Sequence, residues 1–267
     1  MKTNFQQFKA EIRRTLFNDS VNKFYFFSMI IWPFVSFIQV NYNLQVFPLD
    51  FIKISGISTA KNLFYFIFIG YNAYILFQNI VQSCWRLGEE RKQGTLSQIF
   101  ISPINKLSWM YNRAFAMLLS NTWFFLITFA IVNLFFLEYN FQNIGYVLLA
   151  LLFLVFGTWI WGAFISSFFI ILRDGTVLFV LLEGPQDAFS GVQVPLAISP
   201  KMVKIIGSLF PLSYTIGLLR ELLINDQVFS SYLFLYVGIN LLLIFLTNFI
   251  LFCGEHYMRR TGNLDLY

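Results

Sequence analysis

The sequence predicts an all-α polytopic membrane protein with six transmembrane helices. Three observations carry that expectation. Charged residues make up only 12% of the chain and hydrophobic residues 58%, where a soluble domain carries about 25% charge. So little charge cannot coat a water-facing surface, and so much apolar content argues against disorder. Apolar runs of about 20 residues, the length that crosses about 30 Å of hydrocarbon, recur along the chain. Lysines and arginines fall mostly into alternate connections between those runs, as a multi-pass topology requires.

The first span is expected from about Phe24 to Val40, the second from Leu63 to Val81 and the third from Ala114 to Leu137. The fourth covers Tyr146 to Leu172 and the sixth Phe229 to Cys253. The fifth starts at Thr176 and is interrupted by Glu183, Gly184, Pro185, Gln186 and Asp187, so it is extended through Ser190-Gly191. Six crossings place both termini on one side. That side collects Lys2, Lys9, Arg13, Arg14, Lys23, Arg86, Arg91, Lys92, Lys106, Arg113, Arg173, Arg259 and Arg260, leaving Lys53, Lys61, Lys201, Lys204 and Arg220 for the other. The positive-inside rule makes the richer side cytoplasmic. The net charge of +5 is then a topology signal, and the scatter of basic residues argues against a nucleic-acid surface. The polar opening Thr3-Asn4-Phe5-Gln6-Gln7 lacks a signal-peptide pattern, so the first span is expected to be retained. No repeat or linker divides residues 1–267, which read as one membrane domain.

Three segments are not simple spans. In residues 1–22, Phe5, Phe8, Ile12 and Leu16 recur at helical spacing, with Lys9, Arg13 and Arg14 elsewhere on the wheel. This is the pattern of a helix lying in the interface, apolar stripe down. Residues 84–113 form the largest cytoplasmic loop, with charges at Arg86, Glu89, Glu90, Arg91 and Lys92 and a break at Gly94. There Thr95 is expected to cap a short helix carrying Leu96, Ile99 and Phe100 on one side and ending at Ser102-Pro103. Residues 184–226 are moderately apolar but broken by Gly191, Pro195, Pro200, Pro211 and Gly217, and are expected to form short re-entrant helices capping the outer mouth.

The chain has no Gly-x-x-x-x-Gly-Lys-[Ser/Thr] loop to cradle phosphates. A lone histidine, His256, cannot build a His-rich metal site or a Ser-His-Asp triad, and is expected in a solvated tail. Cys84 and Cys253 fall near the cytoplasmic face and are expected to be unpaired. Polar residues inside spans mark either a pathway or interhelical hydrogen bonds. Tyr65, Asn72 and Asn79 repeat every seven residues on the second span. Thr176, Glu183 and Ser190 do so on the fifth, with Asp187 one turn from Glu183. The two stripes suggest a shared wet seam along a translocation pathway. Glu183 falls about 10 Å into its helix; it could attract a cationic substrate, or be tied to Arg220 or an outer lysine. Trp32, Trp85, Trp109 and Trp123 fall near span ends, and Trp159 and Trp161 sit mid-span, where packing is expected.

Two of these segments carry a family likeness. Glu90-Arg91-Lys92-Gln93-Gly94-Thr95-Leu96 followed by Ser102-Pro103 resembles the cytoplasmic signature of ABC-2 type transporter permeases. Ser190-Gly191, Pro195, Phe210-Pro211-Leu212-Ser213-Tyr214 and Leu219-Arg220 look like that family's outer hairpin. The resemblance implies a six-helix membrane subunit with an interfacial helix, a cytoplasmic coupling helix and outer re-entrant helices. It also implies a second permease copy, as homodimer or heterodimer, and a separate ATP-binding cassette subunit that holds ATP and Mg. By the same resemblance Glu89, Glu90 and Arg91 make polar contacts with the ATPase and Leu96, Ile99 and Phe100 fill a groove on it. Gly94, Thr95, Ser102 and Pro103 shape that coupling element. Arg14-Thr15-Leu16-Phe17-Asn18 departs from the Arg/Tyr-rich pattern of polysaccharide exporters in the family, and Gly94-Thr95-Leu96 looks more like the drug, peptide and lipid branch. The expected function is therefore a non-enzymatic permease of the plasma membrane, exporting a lipophilic or amphipathic compound. Weighed against it are a polysaccharide exporter, an ion-gradient transporter, for which inverted repeats are missing, and a membrane-embedded enzyme, for which clustered catalytic residues are missing.

Overall fold

Surrounded by lipid, a backbone must satisfy its hydrogen bonds internally, and a helix does so within one segment. Every regular element among the described residues is helical. The computed structural model describes residues 2–20, 60–136, 141–171, 175–228 and 230–261, together with the single positions Phe27, Ile31, Val35, Ile38 and Tyr42. In chain order the helices are α1 (Lys2–Ser20), α2 (Ala60–Lys92), α3 (Thr95–Ile101), α4 (Lys106–Phe136), α5 (Phe141–Ile171), α6 (Gly175–Phe189), α7 (Lys201–Gly207), α8 (Pro211–Ile224) and α9 (Ser231–Thr261). A 3₁₀ turn at Leu196–Ile198 precedes α7.

Helix α2 is the hub, packed against α4, α5, α6 and α8. Ile69, Phe77 and Ile80 of α2 join Phe129 of α4, Leu154 of α5 and Leu219 of α8 in one buried cluster. With lipid tails as apolar as these side chains, the cluster is held by close packing and not by exclusion of water. Gly162 of α5 lets Ile80 approach to where a Cβ would stand, the small-residue contact that brings membrane helices together. Helix α9 lies at the periphery on α5 and α8. Only 22% of its apolar segment is buried, and Phe245, Phe249 and Phe252 face outward. A face this apolar suits lipid and not water.

The crossings differ from six straight spans. Among the described residues, three stretches are long and apolar enough to cross a membrane: Asn62–Val81, Asn143–Phe168 and Ser231–His256. Two bent pairs also qualify as broken spans, the halves of α4 at 61° and α7 with α8 at 99°. In α4 the Thr122 hydroxyl donates to the Leu118 carbonyl at the bend, a back-bond that often accompanies helix bending. The expected first span lies outside the described residues apart from four positions, Phe27, Ile31, Val35 and Ile38, each helical and exposed. The expected fifth span is α6, only 15 residues long, about 22 Å. It runs through Pro185 without breaking and stops at Phe189 because Ser190-Gly191 turns, with Gly191 left-handed at φ 78°.

Two boundaries also move. Helix α2 continues to Lys92, so the first part of the expected 84–113 loop is helical; Glu89-Glu90-Arg91-Lys92 are good helix formers and nothing interrupts them until Gly94. Helix α9 continues to Thr261, so His256 is an exposed helical residue and not part of a tail. Cys253 is a free, exposed thiol. Trp159 and Trp161 do pack helices: Trp161 is buried, and the Trp159 indole donates to the Tyr111 carbonyl at 2.8 Å.

The face that α1 buries joins two residues of the apolar stripe, Phe8 and Ile12, both half-buried, to polar ones. Glu11 and Thr15 are buried, and Phe8 is half-buried with its ring 5.7 Å from that of Phe115. Lys9 and Arg13 are exposed. The side chains of Phe5 and Leu16 lie outside the described set. The helix is therefore docked on α4 through a carboxylate, for a reason that lies in the site below.

Candidate functional site

At one end of α2 four charged side chains meet. The last turns of α2 bring Glu90. The first turns of α4 bring Trp109 and Arg113, four residues apart and so on one face. Helix α1 brings Glu11 and Arg14, three apart. Arg113 donates through Nη1 and Nη2 to the two Glu90 oxygens, each at 2.8 Å, while its side chain is 1% exposed. Its guanidinium stands 5.6 Å over the Trp109 ring, a cation–π distance. The Trp109 indole donates to Glu11 Oε1 at 2.9 Å. Arg14 Nη2 bridges Glu11 Oε2 at 3.1 Å and Glu90 Oε1 at 3.4 Å. Two acids and two bases make the knot neutral. The bidentate geometry is what a buried arginine needs to offset its desolvation.

Helix α3 hangs from this knot. Gly94, left-handed at φ 70°, is its N-cap position and no side chain caps it; Thr95 is a helical residue and not the cap. Ile99 and Phe100 turn inward onto the core, and the Phe100 ring meets Trp109 edge-on at 6.3 Å. The apolar side expected to face a partner is thus partly covered by the chain itself; among the described side chains of α3, Gln98 and Ile101 are exposed, Ile101 by 76%. Ser102 closes the helix: its N–H donates to the Gln98 carbonyl at 3.1 Å and its hydroxyl to that of Ile99 at 2.7 Å. Pro103 is exposed. Glu89 and Arg91 lie in the last turn of α2 and Thr95 and Leu96 in the first turn of α3, with their side chains outside the described set. Asn105, which the sequence reading passed over, caps α4 by accepting from the Ser108 N–H at 3.1 Å, the usual N-cap geometry.

The expected translocation residues divide between two contacts and one cavity. The Tyr65 hydroxyl donates to Asn133 Oδ1 at 2.6 Å, and Asn133 in turn donates to the Phe129 carbonyl at 2.6 Å; both residues are buried. Asn72 is buried and Asn79 half-buried. This stripe joins α2 to α4 at Tyr65 in the manner of interhelical hydrogen bonding. Glu183 meets a different face of α2, accepting a hydrogen bond from Gln78 Nε2. At about 100° per residue Gln78 lies about 100° round the helix from Asn79, so Glu183 meets α2 beside the Asn79 side and not on it, while Tyr65 and Ser190, one from each stripe, line one cavity. Asp187 is half-buried one turn along α6, and Ser190 is fully buried at its end. The side chain of Thr176 lies outside the described set.

Nor does Glu183 pair with Arg220. The Arg220 Nη1 donates to the Gly191 carbonyl at 2.8 Å, and Nη2 to those of Val192 at 2.8 Å and Phe66 at 3.2 Å. Its guanidinium lies 3.4 Å from the Phe66 ring centroid. The arginine clamps the turn after α6 to α2, and Gly70 has no room for a Cβ there because Val192 and Arg220 occupy it. A cavity of about 460 Å³ opens beside this clamp, lined by Tyr65, Ser190, Arg220 and Tyr232 among others. Gly70 and Glu90 are 20 residues apart on one helix, about 30 Å; the clamp falls inside the apolar stretch Asn62–Val81 and the knot nine residues beyond its end.

Glu11, Gln78, Trp109, Arg113 and Asn133 are the residues this geometry adds. The Glu11-x-x-Arg14 and Trp109-x-x-x-Arg113 spacings were visible signals; that the two pairs meet was not. The family model for the ABC-2 family transporter protein matches residues 37–252. No curated protein matches the chain. With most of its length matched, and with an all-helical body of membrane-crossing helices, the chain belongs to the ABC-2 family of transporter proteins.

Proposed function

We propose that the chain is the membrane subunit of an ATP-driven exporter, working beside a separate ATP-binding subunit and a second permease copy in the plasma membrane, with both termini cytoplasmic. The observation that supports this best is the join between α2 and α3. A 33-residue helix runs from the Arg220 clamp to the Glu90 knot. It then hands over through one left-handed glycine to a seven-residue helix that presents Ile101 outward. On this reading Ile101 and Pro103, with Glu89, Arg91, Thr95 and Leu96, form the surface that takes the ATPase. Glu90, Ile99 and Phe100 act from inside as positioning residues. Displacing α3 moves Phe100 against Trp109, and the knot carries the movement into α1, α2 and α4 together.

The cargo route is the side of α2 and α6 where Gln78 meets Glu183, continuing past Asp187 to Ser190, with α7 and α8 as the re-entrant hairpin at its outer end. Tyr65 and Asn72 then hold helices together. The half-buried Glu183 and Asp187 on an otherwise apolar helix suit an amphipathic compound carrying a cationic group. The test is affinity purification of the chain from its own cells in mild detergent, with ATPase activity measured on the eluate. A co-eluting P-loop ATPase whose recovery falls with Ile101→Asp, while the permease stays folded, is the expected result. A chain that elutes alone, and whose transport survives ATP depletion but stops with an ionophore, would sink the reading in favour of ion-gradient transport.

A further inference from the structure

Arg220 of α8 is a cation without a paired anion. Its Nη1 and Nη2 donate to three carbonyl oxygens, and no carboxylate among the described residues forms an ion pair with it. Its buried Nε–H has no acceptor. The carbonyls it meets belong to Phe66 and to the turn after α6, so the charge falls inside the apolar stretch Asn62–Val81. A charge among apolar residues is costly until an anion meets it. Carbonyl dipoles lower that cost, but they leave the net charge in place.

The guanidinium lines the cavity of about 460 Å³ beside the clamp. A second group without a partner lines it too: Ser190 is fully buried and its Oγ has no hydrogen bond. Buried polar groups are nearly always satisfied, so two orphans on one cavity mark a place for the oxygens of a ligand. Other polar side chains of the lining are engaged. Tyr65 donates to Asn133, Ser213 donates to the Gly207 carbonyl, and the Glu221 carboxylate accepts from Asn225. Much of the remaining wall is apolar. Leu196, Ile216 and Leu223 contribute to it, and so does the Tyr232 ring, which fills the space a Cβ on Gly217 would need. The volume is that of a small-molecule site, far more than a bare inorganic anion fills.

We propose that this cavity holds the anionic head of an amphiphile, a carboxylate or phosphate on an apolar body. Arg220 and Ser190 take the head, and Leu196, Ile216 and Leu223 pack against the body. Such a ligand is distinct from a cationic cargo on the Glu183 side, which Arg220 would repel, and the site stands whatever energy source drives the transporter. The test is equilibrium binding of radiolabelled oleoyl lysophosphatidic acid to the full chain in a neutral detergent. Saturable binding is expected, with monooleoylglycerol, which has the same body and no charge, competing at least about tenfold more weakly. Sodium oleate tells the two heads apart: competition assigns a carboxylate as well, and its absence confines the site to phosphates. Arg220 is left intact, because removing it would free the turn after α6. Ser190→Ala should weaken binding about tenfold without lowering the melting temperature of the unliganded chain, since the hydroxyl it removes has no partner. Ile224→Trp, at an exposed edge of the cavity, should block binding by filling the space. Absence of saturable binding, equal competition by monooleoylglycerol, displacement by inorganic phosphate at the same concentration, or unchanged binding in both variants would each overturn the proposal.

Discussion

Arg113 is charged and fully buried, a state tolerable only because Glu90 meets it with both oxygens. Removing one partner of such a pair strands the other, at a cost of about 3 kcal/mol or more. Glu90→Ala is therefore expected to lower the melting temperature of the detergent-solubilised chain markedly, and Glu90→Leu combined with Arg113→Met to recover most of the loss. Additive losses in the double variant would mean that the two residues act separately. Glu90 itself was legible as important from its place in the charged loop, but its role was not. Its partner is 23 residues away, and Glu11 and Trp109 are 98 apart; helical periodicity speaks only for neighbours on the same helix. Glu183 shows the same limit. Its membrane depth could be counted from Thr176, whereas the face of α2 that receives it depends on how two helices turn toward each other.

At the scale of elements, the long apolar helices were placed well because composition over 20 residues outweighs local irregularity. The second, fourth and sixth expected spans correspond to α2, α5 and α9, α2 being longer at both ends, α5 at its start and α9 at its end. The lengthening was missed because charged helix formers such as Glu89-Glu90-Arg91-Lys92 read as loop when judged by hydropathy alone. Gly94 was read correctly as the break, and its φ of 70° gives the reason: a residue with a Cβ there costs about 1–2 kcal/mol. A Cβ at this position meets nothing within 4 Å, so the cost is conformational. Gly94→Ala is expected to leave the bundle intact but to speed amide hydrogen exchange across Thr95–Ile101; unchanged exchange would show that the α2–α3 turn carries no such constraint.

For the whole molecule, apolar content and the order of the long helices were legible, and the arrangement around α2 was not, since any of several helices could have taken the centre. The periphery is a separate matter. With little of α9 buried and Phe245 exposed near its middle, that face is expected to tolerate only residues compatible with lipid. Phe245→Arg should weaken membrane integration of α9 by about 3 kcal/mol, read as loss of protease protection of its C-terminal end, whereas Phe245→Leu should not.

Helix α2 is fastened twice, to α1 and α4 at Glu90 and to the turn after α6 by Arg220, about 30 Å apart. A spanning helix with free ends answers a thicker or thinner bilayer by tilting alone. One fastened at Phe66–Gly70 and again at Glu90 tilts only together with the helices it is fastened to. A change of bilayer thickness is therefore expected to act on α1, α4 and the turn after α6 together with α2.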